Sequence, residues 1–246
     1  MGSKSRIAKQ IVPIIQGYID KNHINTYIEP FVGGANVIDK INCETRIGTD
    51  KNKYLIALLN HVKNGNGLYS SVPKELYDDA RNAFNTGDSS RFDDWQLGNI
   101  GFLASYNGRW FDGGYAKPVY EKTGRGYRLR DYYKEAADNL LEQSAKLKDI
   151  HFAHKDYAAY SSHDLKDAVT YVDPPYRGTK QYANSSRFNY EEFWDTMREW
   201  SKDSIVIISE QAAPKDFECI WEQDVSRSIK ATGRKKSVER LFKYKG

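Results

Sequence analysis

Val169-Thr170-Tyr171-Val172-Asp173-Pro174-Pro175-Tyr176 decides how this chain is read. The run from Ala168 to Val172 is apolar and β-branched, which predicts a buried strand. An acid, two prolines and an aromatic end it. Proline has no N–H to give to a sheet ladder, so the chain must leave the sheet at Asp173 in a rigid turn. Clefts in α/β sheets open at the carboxyl ends of strands. Asp173, the Pro174 carbonyl and the Tyr176 ring are therefore expected to converge on one cleft, with Pro175 stiffening the turn.

Such a group suits an exocyclic amino nitrogen on an aromatic ring. That nitrogen is a poor nucleophile because its lone pair is delocalised. A carboxylate and a carbonyl that accept its N–H bonds favour a more tetrahedral nitrogen with the lone pair freed. They also stabilise positive charge as it develops in the transition state. An aromatic ring alongside can stack on a planar base. The plainer alternative is an Asp-Pro turn with a tyrosine at a strand end.

Outward from this strand, Thr26-Tyr27-Ile28 predicts a short strand. It runs into Glu29-Pro30-Phe31-Val32-Gly33-Gly34-Ala35-Asn36 and then a helix-like apolar segment, Val37 to Ile41. Strand, glycine turn and helix bring backbone amides close to a nucleotide-like ligand. The pattern is neither Gly-x-Gly-x-x-Gly nor a P-loop. Arg46 to Thr49 predicts the next strand, which reaches Asp50 before a helix from Lys51 to Val62. An acid about 20 residues past a glycine turn is placed for ribose hydroxyls; Asp50 can equally cap that helix. Ile150 to His154 predicts a further strand with Asp156 just beyond its end. His151 and His154 face opposite sides of that strand and make no metal pair.

Ile7 to Tyr18 has apolar residues at helical spacing, with Pro13 expected to kink the helix or delay its start. The polar stretch Arg177 to Asn189 is expected to form a loop over the cleft. Tyr190 to Trp200 predicts an amphipathic helix. Strands are expected at Ser204 to Ser209, Phe217 to Trp221, Val225 to Ile229 and Val238 to Tyr244, with a loop at Ala231 to Arg234. Residues 63–145 differ in character. Lys74 to Phe84 and Phe92 to Tyr106 predict helices, and Tyr132 to Leu147 predicts one returning to the sheet. Between them, Asn107-Gly108-Arg109-Trp110-Phe111 and then Lys117, Lys122, Arg125, Arg128 and Arg130 mix bases, glycines and aromatics, with few apolar residues for a core. That mixture suits a loop or hairpin laid on nucleic acid; an ordinary solvated loop is the alternative.

The 246 residues carry a net charge of +4, which is compatible with nucleic acid but no proof of it. The two cysteines, Cys43 and Cys219, have no metal-ligand spacing and are expected to be reduced packing residues of a cytoplasmic protein. No apolar run approaches 18 residues, and no signal-peptide pattern opens the chain, so no membrane association is expected.

With these pieces in order, the chain resembles the Dam-type, D12-class DNA adenine-N6 methyltransferases. Glu29-Pro30-Phe31-Val32-Gly33-Gly34-Ala35 resembles their S-adenosylmethionine loop, and Asp173-Pro174-Pro175-Tyr176 their catalytic motif. Gly2-Ser3-Lys4 is similar to their Gly-Gly-Lys, which favours native sequence there. Arg227 through Lys236 resembles their C-terminal hairpin. The resemblance implies an α/β fold: a Rossmann-like, S-adenosylmethionine-dependent methyltransferase sheet from residues 1–62 and 146–246, with a smaller helical and hairpin DNA-recognition domain, 63–145, inserted.

It also implies roles. Glu29, Pro30, Phe31, Gly33, Gly34 and Ala35 would hold the methionine part of the cofactor. Asp50 would bind its ribose, and Asp156 its adenine amino group. Lys4 would lie near both cofactor and target. Asp173 and the Pro174 carbonyl would bind the target N6 group, and Tyr176 would stack on a flipped base. Asn107, Arg109, Trp110, Lys117, Arg125, Arg128, Arg234, Lys235 and Lys236 would contact double-stranded DNA.

No metal is implied, and neither cysteine follows a proline as in cytosine-C5 enzymes. A GATC site is not carried over, because the reading loop past Asn107-Gly108 departs from the GATC-reading members. A monomer in the cytoplasm of a bacterium or phage-infected cell, paired with a cognate restriction nuclease, is the implied setting. N4-cytosine or RNA adenine methylation, or a non-catalytic S-adenosylmethionine-sensing DNA-binding protein, remain the alternatives.

Overall fold

The computed structural model describes residues 4–124, 126–175, 188–227 and 235–246. The fold opens with a short 3-10 turn, Lys4–Arg6, and then α1 (Ala8–Lys21), which buries Ala8, Ile11, Ile15 and Ile19 at helical spacing. Pro13, expected to kink this helix or delay its start, lies inside it, so the start is not delayed. Both Pro13 and Lys9, whose carbonyl loses its donor, are exposed, so water can satisfy that carbonyl.

The chain continues through β1 (Thr26–Glu29), β2 (Thr45–Asp50), α2 (Lys53–Lys63), α3 (Lys74–Thr86) and α4 (Asp94–Gly98). A π-helical turn, Asn99–Leu103, follows, and then an antiparallel hairpin of β3 (Val119–Thr123) and β4 (Gly126–Arg130). After α5 (Tyr132–Leu147) come β5 (Ile150–His154), β6 (Ala168–Val172), α6 (Tyr190–Trp200), β7 (Ile205–Glu210), β8 (Phe217–Arg227) and β9 (Lys235–Tyr244). The two strands expected between Phe217 and Ile229 are one, β8, with a pairing irregularity between Cys219 and Trp221. Cys219, expected to pack inside, is exposed.

Among the described residues one seven-stranded sheet has the order β5-β2-β1-β6-β7-β9-β8. β1 pairs in parallel with both β2 and β6, so the direction of winding reverses between β1 and β6. That reversal is the switch point at which doubly wound sheets open a cleft. Thr26, Tyr27 and Ile28 face Ala168, Val169 and Thr170, which brings Glu29 and Asp173 out at the same edge. β9 is the exception to parallel winding: it runs antiparallel between β7 and β8.

Both faces of the sheet are covered. Val169 and Tyr171 of β6 join one core, and Ala168 and Val172 join the other with Phe193, Met197 and Trp200 of α6. Burial on both sides explains why β6 reads as a continuous apolar run. The larger core extends without a break into residues 63–145 through Tyr77, Leu97, Ile100, Trp110, Phe111 and Tyr133. α4 crosses α2 so closely that a Cβ on Gly98 would lie 2.2 Å from the Tyr54 carbonyl oxygen.

Candidate active site

Glu29 ends β1 with 2% of its surface exposed, and its Oε1 accepts a hydrogen bond from the Tyr27 hydroxyl at 2.7 Å. Burial raises its carboxyl well above the ordinary range, Tyr27 pulls it back, and the nearby Asp173 and Asp39 carboxyls push it up again. The chain then turns sharply. Val32 donates its N–H to the Thr49 carbonyl at 2.9 Å, which ties the turn to β2. Gly33 takes φ +49 with open space where a Cβ would be, a left-handed position that favours glycine. Pro30 and Ala35 are buried and shape the turn from within.

Asp50 fastens the same turn from the end of β2. Its Oδ2 accepts the Gly33 N–H at 3.3 Å and its Oδ1 the Asn52 N–H at 2.9 Å. Burial raises the Asp50 carboxyl, these backbone donors lower it, and Asp156 adds like charge. The capping role considered for Asp50 falls to Asn52, whose side chain accepts from the Tyr54 and Leu55 amides. Asp156 stands one strand further along the sheet edge. It is exposed and accepts the Ala158 N–H at 3.1 Å.

Asp173 emerges from β6 beside the Glu29 turn. Its Oδ1 lies 3.1 Å from Lys4 Nζ, and the same ammonium lies 3.1 Å from Glu239 Oε2. Burial raises the Asp173 carboxyl to about 6; Lys4 holds it down and Glu239 pushes it up. Pro174 is buried, and among the described residues nothing donates to its carbonyl. The next carbonyl, that of Pro175, is taken by the Tyr190 hydroxyl at 2.6 Å. Among the described residues the rigid turn thus gives one carbonyl a partner on α6 and the other none.

One cleft brings together Lys4, Glu29, Phe31, Gly33, Gly34 and Asp173. Tyr171 lines it from β6. Phe31 packs against Tyr157 with ring centroids 5.0 Å apart, which makes an aromatic wall next to Asp156. Tyr176 and most of the Arg177–Asn189 stretch lie outside the described residues.

The candidate nucleic-acid residues lie apart from this cleft in the chain, and the fold divides them. Asn107, Arg109, Lys117 and Arg128 are exposed. Trp110 is not on that surface: it is 6% exposed and stacks on Tyr54 at 5.1 Å, so its ring serves the core. Lys235 and Lys236 open β9, while Arg125 and Arg234 lie outside the described residues. The β3–β4 hairpin presents Tyr120 and Tyr127 about three-quarters exposed, on the face that also carries Lys122 and Leu129.

Two residues escaped the sequence reading. Glu239 pairs with Lys4; its one signal is that it is the sole acid in an otherwise basic tail. Gln143 of α5 donates to the Gly34 and Ala35 carbonyls at 3.2 and 3.0 Å, supporting the glycine turn from that helix; nothing in the sequence marks it. Among the described residues there is no group of three or more His, Cys, Asp or Glu side chains able to hold a metal ion. Nor is any described helix long and apolar enough to cross a membrane.

A winding reversal with acids and a glycine turn at its carboxyl edge, joined to an Asp-Pro-Pro turn, defines a Rossmann-like methyltransferase. More narrowly, residues 1–205 match the D12 class N6 adenine-specific DNA methyltransferase family, and the chain belongs to that family. No curated protein matches it. Solved structures that it matches include the rRNA methyltransferase AviRa from Streptomyces viridochromogenes, at 9% identity and TM-score 0.42, with 98% of this chain and 84% of that one covered. A conserved hypothetical protein of Streptococcus pyogenes gives 8% and 0.34, with 89% and 86% covered. TrmN from Thermus thermophilus gives 10% and 0.35; 95% of this chain is covered but only 48% of that one. The assignment rests on the family match.

Proposed function

We propose that the protein transfers the methyl group of S-adenosylmethionine to N6 of adenine in double-stranded DNA, at a base turned out of the helix. The observation that carries this reading is the Asp173 carboxylate next to the Pro174 carbonyl, to which no described residue donates, beside the glycine turn. Two acceptors on one amino group are what activate its nitrogen, and they stabilise the charge it acquires.

The cleft suits such a cofactor. Among the described residues its lining carries the carboxyls of Glu29 and Asp173 against the ammonium of Lys4, and both Glu29 and Asp173 are pushed toward holding protons. A ligand with positive charge relieves that excess. S-adenosylmethionine, when bound, supplies an electrophilic methyl on a cationic sulfur. Glu29, Phe31 and the Gly33–Gly34 turn would hold its methionine part, and Asp50 its ribose hydroxyls. Asp156 would accept from its adenine amino group beside Tyr157, and Tyr176 would stack on the target base.

An amino group stacked inside a duplex cannot reach Asp173, so the base must leave the stack. Asn107, Arg109, Lys117 and the β3–β4 hairpin with Arg128 would meet the duplex. A two-stranded ribbon fits the major groove, and these side chains are exposed and predominantly basic or aromatic. The working setting we propose is a cytoplasmic monomer in a bacterium or phage-infected cell, partnered by a cognate nuclease.

The test is methyl transfer from labelled S-adenosylmethionine to unmethylated genomic DNA, followed by digestion and mass spectrometry of the nucleosides. N6-methyladenine is expected. N4-methylcytosine would overturn the base assignment while keeping the cofactor. Label in RNA but not in DNA would overturn the substrate.

A further inference from the structure

Glu239 lies in β9, beyond the residues matched to the family. Because β9 is antiparallel and Arg240 pairs with Glu210, Glu239 falls just past the carboxyl end of β7. Val172 of β6 faces Ile208 of β7, so Asp173 leaves the sheet at that same edge. Glu239 is 7% exposed there, and Lys4 stands between it and Asp173 at 3.1 Å from each. One ammonium is shared by two carboxylates, which leaves the trio with a net negative charge.

We infer that Glu239 is a positioning residue for methyl transfer: it holds Lys4 between two carboxylates, so that the lysine fixes Asp173 without cancelling it as an acceptor. The inference rests on the reading of Asp173 as the acceptor for the target amino group. A buried lysine paired with Asp173 alone would take up its lone pairs and its charge, and the carboxylate would then be a weak acceptor. With Glu239 drawing on the same ammonium, Oδ1 is anchored and Oδ2 keeps its accepting power. The described titratable groups that face Asp173 are Lys4 from the N-terminal turn, Glu239 from β9, Glu29 from β1 and Tyr171 on its own strand.

Two variants push the acidity of Asp173 in opposite directions. Glu239→Gln removes a repelling charge and frees Lys4 to pair with Asp173 alone; both effects make Asp173 more acidic. Lys4→Met removes the attracting charge and makes it less acidic.

The experiment is the pH profile of the single-turnover methyl-transfer rate for the wild type, Glu239→Gln and Lys4→Met, with S-adenosylmethionine affinity measured alongside. The acid limb should move down by about half to one pH unit in Glu239→Gln, and up in Lys4→Met. The plateau rate of Glu239→Gln should fall about tenfold, the scale of a weakened preorganised acceptor, with cofactor affinity little changed. If Glu239→Gln does not fold, Glu239→Asp keeps the charge and should retain the wild-type midpoint with a reduced plateau. A wild-type midpoint and plateau in Glu239→Gln, even with lowered thermal stability, would overturn the inference and leave Glu239 a structural residue. A wild-type profile with no acid limb would instead overturn the reading of Asp173 itself, and the inference with it.

Discussion

Lys4 Nζ lies 3.1 Å from Asp173 Oδ1, so the first described turn of the chain is tied to the end of its central strand. Neither residue is well solvated: their side chains are 10% and 19% exposed. The pair sits in the same cleft as the Glu29 turn, and burial outweighs the lysine in setting the acidity of Asp173.

The rate should therefore depend on pH through Asp173. Its carboxyl is pushed up to about 6, and only its ionised form accepts two N–H bonds well. As pH falls through about 6, the active fraction falls with it, toward tenfold per unit; above that value the rate levels. The pH dependence of kcat/KM from acid to neutral pH, which reports the groups of the free enzyme, measures this. A limb centred near the ordinary aspartate range of about 4 would contradict it.

Much of this site was legible in the sequence because its key residues follow from local rules. Asp173 had to leave the sheet because Pro174 and Pro175 cannot pair, and Gly33 marked a turn beside a strand end. Glu239 was not legible, since its place depends on β9 inserting antiparallel between β7 and β8, a long-range pairing that period and propensity do not encode. Trp110 read as part of a basic, aromatic segment, yet it packs on Tyr54 and Phe84 across the fold. Composition cannot separate a stacking surface from a core when both are built of aromatics.

Glu29→Gln should raise stability at neutral pH while weakening cofactor binding. The folded protein raises the Glu29 carboxyl above its unfolded value, so the protonated form is favoured on folding. That stabilisation is present below the unfolded value of about 4.3 and is lost as pH rises through the folded one. Glutamine keeps an acceptor for the Tyr27 hydroxyl and carries no charge to desolvate. Thermal unfolding should show a higher Tm for the variant at pH 7, with the difference shrinking toward pH 4. Calorimetry should show S-adenosylmethionine binding weaker by about tenfold, the scale of a lost charge-assisted contact. A lower Tm at pH 7 would contradict the sign.

Gly98→Ala should destabilise the packing of α4 on α2. Alanine gains up to about 1 kcal/mol in helix propensity. Its methyl would meet the Tyr54 carbonyl at 2.2 Å and Leu58 Cβ at 3.0 Å, so the two helices must part. Overpacking of this kind costs about 1–3 kcal/mol, and backbone contacts stand at its upper end, so the loss should prevail. Urea denaturation reads the net change; a midpoint equal to or above wild type would show that the crossing is looser than the structure has it.

Arg128→Ala should lower the salt dependence of DNA binding. Arg128 is largely exposed on the hairpin, with Glu135 no closer than 4.0 Å. If it meets a phosphate, removing it reduces the slope of log affinity against log salt by about one. Affinity titrations at several salt concentrations measure the slope. An unchanged slope, with affinity lost at one base pair only, would place Arg128 on a base edge.

The most direct test of the central claim is single-turnover methyl transfer by Asp173→Ala, alongside its affinity for S-adenosylmethionine. The variant should bind the cofactor and lose at least about 10²–10³ in rate, the scale of a lost preorganised electrostatic partner. Near-normal turnover would contradict the claim that Asp173 activates the target nitrogen.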